Sequence, residues 1–278
     1  MPRTTPLPFA ILRNVIRAIA AVAPPLAIPM AVRLFRTPPK TRAVEHTFTV
    51  EALGQNVHAS SFGDGPAVIL LHGWGGWPGQ LDGFRRELLA RGHRVVTLSP
   101  IGHGGAKPRC SSLIDFLESL NAVAAHVGEV HAVIAHSLGG VTSAVAVANG
   151  LAVKRLIVIG SPARPHDFFD RFLEWLAFPQ PLRARAFAHV EKILHFAWSD
   201  LDVEAWGPKI GIPLLAIHDS GDRDVVYENA LDVMKYVANA RLLTTRGLGH
   251  RRILDDPEVI RAAVDFATAS DLAATQAS

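Results

Sequence analysis

The chain reads as an α/β protein: a mostly parallel central sheet of about eight strands, flanked by helices on both faces, with a short helical cap insertion. Three observations predict this. Short apolar runs (AVILLH at 67–72, RVVTLS at 94–99, HAVIA at 131–135, RLIVIG at 155–160, PLLAIH at 213–218) alternate with segments of helical length. Runs that are apolar at every position, rather than at alternate ones, suit strands buried on both faces between helix layers. Of the 278 residues, 49% are hydrophobic and 19% charged, enough apolar side chain for one large core.

The N-terminal extension, residues 1–43, has a character of its own. PFAILRNVIRAIAAV (8–22) has helical periodicity, with Ile11, Leu12, Val15, Ile16, Ile19 and Val22 on one broad face and Arg13, Asn14 and Arg17 on the other. Pro24 and Pro25 end that helix, because proline lacks an N–H and restricts the residue before it. A second apolar run, LAIPMAVRLF (26–35), precedes the loop TPPKTR (37–42). Residues 1–44 hold Arg3, Arg13, Arg17, Arg33, Arg36, Lys40 and Arg42 and no acidic residue, a charge of +7. The net charge is +3, so the rest of the chain carries −4. That body has no basic stripe, which argues against a nucleic-acid partner.

Arginines and prolines interrupt the extension too often for a membrane span. Packing on the body, near the mouth of the site, is the favoured reading. A basic amphipathic helix giving peripheral contact with an anionic membrane is the second. A cleaved secretory leader is the third and is disfavoured by the paired prolines. The expected location is the cytoplasm, with membrane association and secretion as the other readings.

The core is expected over 44–162 and 209–278. It opens with a hairpin of AVEHTFTVE (43–51) and NVHASSFG (56–63). Helices are expected near 80–91, 111–126, 138–149, 227–237 and 257–268, and a last strand at ARLLTT (240–245). The tail 269–278 is expected to fray. Residues 163–208 interrupt the rhythm as a helical cap, and they hold nine of the chain's 20 aromatic residues. Phe168, Phe172 and Trp175 recur at helical spacing. They can seal a satellite core of two helices while lining a pocket for an apolar substrate group. The single cysteine, Cys110, excludes a disulfide framework and a thiol-rich metal site. Histidines and carboxylates do not cluster at ligand spacing, so neither metal nor cofactor is expected.

AHSLGG (135–140) joins a buried strand directly to a helix rich in small residues. A turn tight enough to expose the Ser137 hydroxyl needs minimal side chains two residues before and two after, here Ala135 and Gly139. The helix beginning at Leu138 aims backbone N–H groups at negative charge developing beside Ser137. The serine needs a base. His250, in RGLGHRRIL just after the last strand, is the best placed, since Gly247 and Gly249 let that loop bring the imidazole inward. His72, His103 and His136 also sit at strand ends, but beside turn residues, where holding loops is the plainer role. The base needs a carboxylate to orient it. Asp222, in mid-loop past Gly221, is preferred over Asp224, a candidate helix cap, and over Asp219, still close to the strand. HGWGGWPGQ (72–80) is dense in glycine, so its backbone can approach a substrate. The N–H groups of Trp74 and Leu138 are the expected oxyanion donors, and Gly73, Trp77 and His136 are pocket candidates.

Read together and in order, LLHGWGG, SPIGHGG, AHSLGG, HDSGDRDVV and GLGHRRIL resemble the α/β-hydrolase superfamily of serine hydrolases, over about residues 44–268. That resemblance implies the α/β-hydrolase fold, a triad in the chain order Ser137, Asp222, His250, and a small-molecule ester substrate cleaved through an acyl-enzyme without cofactor. The elbow departs from the usual family pattern at Ala135, where glycine is common, and Ser99 stands where many relatives carry aspartate. Rival readings are thioester hydrolysis, carbon–carbon cleavage or perhydrolysis on the same triad. A ligand-binding or signalling protein with negligible turnover is a further rival, against which a complete triad argues.

Overall fold

The computed structural model describes residues 7–39, 42–105 and 110–269. In chain order the elements are α1 (Leu7–Val22), α2 (Pro24–Phe35), β1 (Phe48–Ala52), β2 (Gln55–Phe62), β3 (Ala67–Leu71), α3 (Asp82–Ala90), β4 (Arg94–Ser99), α4 (Leu113–Val127), β5 (Val130–His136), α5 (Leu138–Ala148) and β6 (Val153–Ile159). There follow α6 (His166–Trp175), α7 (Gln180–Leu194), the single turns α8 (Trp198–Leu201) and α9 (Val203–Trp206), β7 (Leu214–Asp219), α10 (Glu228–Tyr236), β8 (Ala240–Thr245), the turn α11 (Gly249–Arg252) and α12 (Pro257–Thr268). The tail expected to fray lies outside the described residues from 270 on, as do Arg3, Lys40 and Thr41.

The strands form one eight-stranded sheet in the order β1-β2-β4-β3-β5-β6-β7-β8. Only the β1–β2 and β2–β4 pairs are antiparallel. The hairpin turn is Leu53-Gly54, both at positive φ (51° and 70°), the conformation a two-residue hairpin requires. The chain moves outward from β3 to β4 and then crosses back to β5. The strand order therefore reverses beside β3, and a crevice opens there at the carboxyl ends of the strands, where ligands bind in open α/β sheets. Register carries the same point residue by residue. Leu71 pairs with Ala135, His136 with Ile159, and Asp219 with Thr245, so the loops leaving β3, β5, β6, β7 and β8 emerge side by side.

Each face of the sheet is sealed by helices. Phe116 and Leu120 of α4 and Val141 and Ala144 of α5 pack on one face. Phe84 and Leu88 of α3 and Val259 and Val264 of α12 pack on the other. The small residues of α5 let it lie close: a Cβ at Gly139 would stand 2.6 Å from the His72 carbonyl oxygen.

A third apolar cluster is separate from both. Ile16, Ala20, Ala27, Ile28, Ala31 and Val32 of the N-terminal helices pack with Phe169 and Leu173 of α6, Leu176 and Phe178 beyond it, and Ala186 and Val190 of α7. The Phe35 ring lies 4.8 Å from Phe169 and 5.2 Å from Phe172. The N-terminal extension thus packs on the cap insertion, and the two make one helical layer. In two respects this departs from the sequence expectation. Pro24 and Pro25 occupy the first turn of α2, where a missing N–H costs nothing, so they begin a helix as well as ending one and leave only Ala23 between the two. The broad apolar face of α1 also divides. Ile16 is buried and Leu12 and Ile19 are half-buried, whereas Ile11, Val15 and Val22 are exposed.

Candidate active site

Ser137 is the single residue between β5 and α5, and it stands at φ 54°, ψ −123°. A non-glycine residue there is strained, and it persists because the surroundings fix it. Its N–H donates to the Ile159 carbonyl at 2.9 Å, tying the turn to β6. The side chain does not cap the helix it precedes. Ala135 is fully buried in the sheet, so its methyl group is accommodated. The loop after β3 presses against the serine: a Cβ at Gly73 would stand 2.8 Å from Ser137 Cβ and 3.3 Å from its Oγ.

His250 and Asp222 meet across the crevice, with Nδ1 and Oδ2 2.7 Å apart. Asp222 is held rigidly, because its Oδ1 accepts from the N–H groups of Asp224 (2.8 Å) and Val225 (3.0 Å). Burial alone would raise the pKa of this carboxyl, but the His250 contact and those two N–H groups hold it below the ordinary range. It is therefore an anion at neutral pH. With a carboxylate on Nδ1, the imidazole carries its proton there and leaves Nε2 as a base. Ser137 and His250 line the same cavity without a hydrogen bond between them. Such contacts are commonly long in ligand-free sites and shorten with substrate. Asp219, the other buried carboxylate of this loop, has a bracing role. It accepts from Gly221 N–H, Thr245 Oγ1 and Leu248 N–H, all at 2.9 Å, and so fastens the end of β7 to the loop that carries His250.

The N–H groups of Trp74 and Leu138 meet no acceptor among the described residues, and both residues line the cavity beside Ser137. Buried His103 sets the shape of the first of these loops. Its Nε2 accepts from Gly75 N–H at 2.9 Å, so that nitrogen carries no proton. Burial, the largest influence, lowers the His103 pKa to about 4. His72 donates from Nδ1 to the Gly73 carbonyl (2.8 Å), and burial together with nearby His103 lowers its pKa to about 3. His136 donates from Nε2 to the His250 carbonyl (2.9 Å), and its pKa is likewise lowered to about 3, chiefly by burial. Three neutral histidines therefore hold the loops on both sides of the crevice.

Sequence reasoning missed one contact altogether. Gly160, at the end of β6 with φ 55°, faces the His250–Asp222 pair. A Cβ there would stand 3.2 Å from His250 Nδ1 and 3.5 Å from Asp222 Oδ2. The available signal was a glycine closing the strand next to the serine's own. Gly160→Ala is expected to lose roughly 1–2 kcal/mol from the positive φ and to lower kcat by displacing the imidazole. Thermal melts and ester hydrolysis check this; an unchanged melting temperature and kcat would show that the position tolerates a side chain.

The crevice opens into a cavity of about 700 Å³. Gly73, Trp74, His136, Ser137, Leu138 and His250 line its floor, and Phe168, Phe172, Phe196 and Trp198 of the cap line its walls. Leu34, Phe35 and Arg36 of the N-terminal extension complete the wall; the sequence reading set the extension near the mouth of the site without saying which of its residues reach it. Two expected pocket residues stand outside this lining. Trp77 folds its indole back onto Gly79, under the Arg42 guanidinium at 5.3 Å. Trp175 lies one turn beyond Phe172, its ring 5.9 Å from that side chain, and packs on the satellite core. Among the described residues, no group of three or more His, Cys, Asp or Glu side chains is arranged to hold a metal ion.

Residues 66–195 match the family model described as the alpha/beta hydrolase fold. No curated protein matches the chain. Among solved structures, an esterase from Exiguobacterium antarcticum superposes with TM-score 0.62 at 19% identity, covering 81% of this chain and 100% of that one. The enol-lactonase from Burkholderia xenovorans LB400 gives 0.62 at 16% identity, covering 80% and 100%. A bacterial membrane phospholipase A, described as a virulence factor, gives 0.61 at 18% identity and covers 98% of both chains.

Proposed function

We propose that this chain, which has the α/β-hydrolase fold, is a serine hydrolase that cleaves carboxylic esters carrying an apolar acyl or alcohol group. Ser137 Oγ attacks the ester carbonyl carbon while His250 Nε2 takes its proton. Asp222 fixes the imidazole and stabilises its positive charge. The N–H groups of Trp74 and Leu138 hold the oxyanion. As the tetrahedral intermediate collapses, the C–O bond to the alcohol breaks and His250 returns the proton to the departing oxygen. Water, deprotonated by His250, then attacks the acyl carbon; the bond to Ser137 Oγ breaks, His250 returns the proton to that oxygen, and the acid leaves.

The observation that carries this reading is a strained serine beside two unengaged N–H groups, in a cavity shared with an imidazole whose far nitrogen is bound to a buried carboxylate. Apolar walls from the cap and the N-terminal helices favour a hydrophobic substrate group over a charged one. The esterase and the enol-lactonase that share the fold support hydrolysis as the reaction class.

The experiment is labelling with a fluorophosphonate and hydrolysis of p-nitrophenyl esters of increasing chain length, with Ser137→Ala as control. Wild type is expected to be labelled and to release nitrophenol with an optimum above acetate, and Ser137→Ala to do neither. Absence of Ser137-dependent labelling and release in the wild type would defeat the proposal.

A further inference from the structure

Helices α1 and α2 are apolar on two opposite sides, and the cap accounts for only one of them. The inward side, with Ile16, Ala20, Ala27, Ile28, Ala31 and Val32, is buried on α6 and α7. The outward side of α1 carries Ile11, Val15, Ala18 and Val22, at the spacing of one helical stripe. Beyond Ala23, Leu26, Pro29 and Met30 of α2 are exposed as well. Val22 is 85% exposed, Leu26 62% and Ile11 56%. Five of the nine large hydrophobic side chains exposed among the described residues lie on these two helices, so the remainder of the surface is not built this way. Large exposed apolar side chains concentrated on two consecutive helices in this way point to an interaction site.

Charge selects the occupant. Residues 1–44 contain seven basic residues and no acidic one, and Arg17 and Arg33 are exposed on the same two helices. No described helix is long and apolar enough to cross a membrane, α1 being 16 residues and α2 12. Short helices with an apolar outer stripe flanked by arginines fit the headgroup boundary of an anionic bilayer, lying in its plane.

We infer that the outward face of α1 and α2 docks on an anionic lipid surface. The end of α2, through Leu34, Phe35 and Arg36, lines the catalytic cavity. Docking therefore brings that cavity to the bilayer and supplies it with ester substrates that partition into lipid. The docking surface stands independently of the proposed hydrolysis; only the choice of substrate rests on it.

The test is co-sedimentation of the full chain with vesicles of phosphatidylcholine alone and of phosphatidylcholine mixed with phosphatidylglycerol. Binding is expected to the mixed vesicles only and to be released by salt. The double variant Arg17→Ala, Arg33→Ala is expected to partition roughly thirtyfold less well, from about 1 kcal/mol per arginine. Val22→Ser with Leu26→Ser is expected to abolish binding. None of these side chains lines the cavity, so hydrolysis of soluble p-nitrophenyl acetate should be unchanged in every variant, which also reports correct folding. Equal binding to both vesicle types, or none to either, overturns the inference. So does a dimer in light scattering that Val22→Ser with Leu26→Ser dissolves, because the face would then belong to a second copy of the chain. Loss of soluble-ester hydrolysis in the wild type would instead count against the esterase reading alone.

Discussion

Asp222→Asn is expected to fold and to lose about ten-thousandfold in kcat on p-nitrophenyl esters. The hydrogen bonding around the residue explains the size of the effect. Oδ1 is held by the N–H groups of Asp224 and Val225, and both demand an acceptor. The amide oxygen of asparagine would take that place, turning its NH₂ toward His250 Nδ1. An NH₂ group donates, so Nδ1 would have to accept and the imidazole proton would move to Nε2. That nitrogen is the one needed to receive the Ser137 proton, so the base would be present in the wrong tautomer. His250→Ala is expected to cost about a millionfold, and combining it with Ser137→Ala should cost no more, because residues that act as a unit are not additive. Steady-state hydrolysis of the single and double variants checks both statements. An Asp222→Asn enzyme within tenfold of wild type would remove the carboxylate from the mechanism.

The second large effect is acid destabilisation. His72, His103 and His136 are buried and neutral, with pKa values of about 3, 4 and 3 against 6.5 in an unfolded chain. Between pH 6.5 and these lower values the unfolded state binds more protons than the folded one, so stability must fall as pH falls. From pH 6.5 to pH 5 each histidine contributes a loss of about 1.6 kcal/mol, and three together reach about 5 kcal/mol. That is a large part of the 5–15 kcal/mol typical of a folded domain. Asp222 and Asp219, held below the ordinary carboxylate range, add their losses only at lower pH. Asp115 and Asp202, raised by burial, act in the opposite sense near that same range. Denaturant unfolding at pH 7 and pH 5 measures the difference, and unfolding near pH 5 should be accompanied by net proton uptake. A flat stability between these pH values would mean that the histidines are not held neutral. Activity is expected to fail by pH 4 along with stability, since a protonated His103 cannot accept from Gly75 N–H and the loop bearing Trp74 loses its brace.

The strands were legible because burial on both faces leaves a continuous apolar run, a signal that needs no knowledge of neighbours. AVILLH, RVVTLS and RLIVIG are read directly as β3, β4 and β6, within two residues at each end. Ser137 was legible for a local reason too: the tight turn restricts its neighbours to small residues. The meeting of His250 with Asp222 was legible because a parallel sheet collects its loops at one end, and those two loops follow adjacent strands. Trp77 and Trp175 were misplaced because periodicity gives the side of a helix or the start of a turn, while the direction of a ring depends on what it meets.

By itself the sequence determined the α/β architecture, the serine elbow and the unbalanced charge of the first 44 residues, since each is written in spacing along a single segment. Only the tertiary structure decided that Gly160 faces the His250–Asp222 pair, which backbone groups the three loop-holding histidines reach, and that the N-terminal helices share a core with the cap. These are contacts between segments far apart in the chain, and a hydrophobic face does not specify which of several complementary faces will cover it. For that reason the division of α1 into a buried side and an exposed one became visible only when its partners were in place.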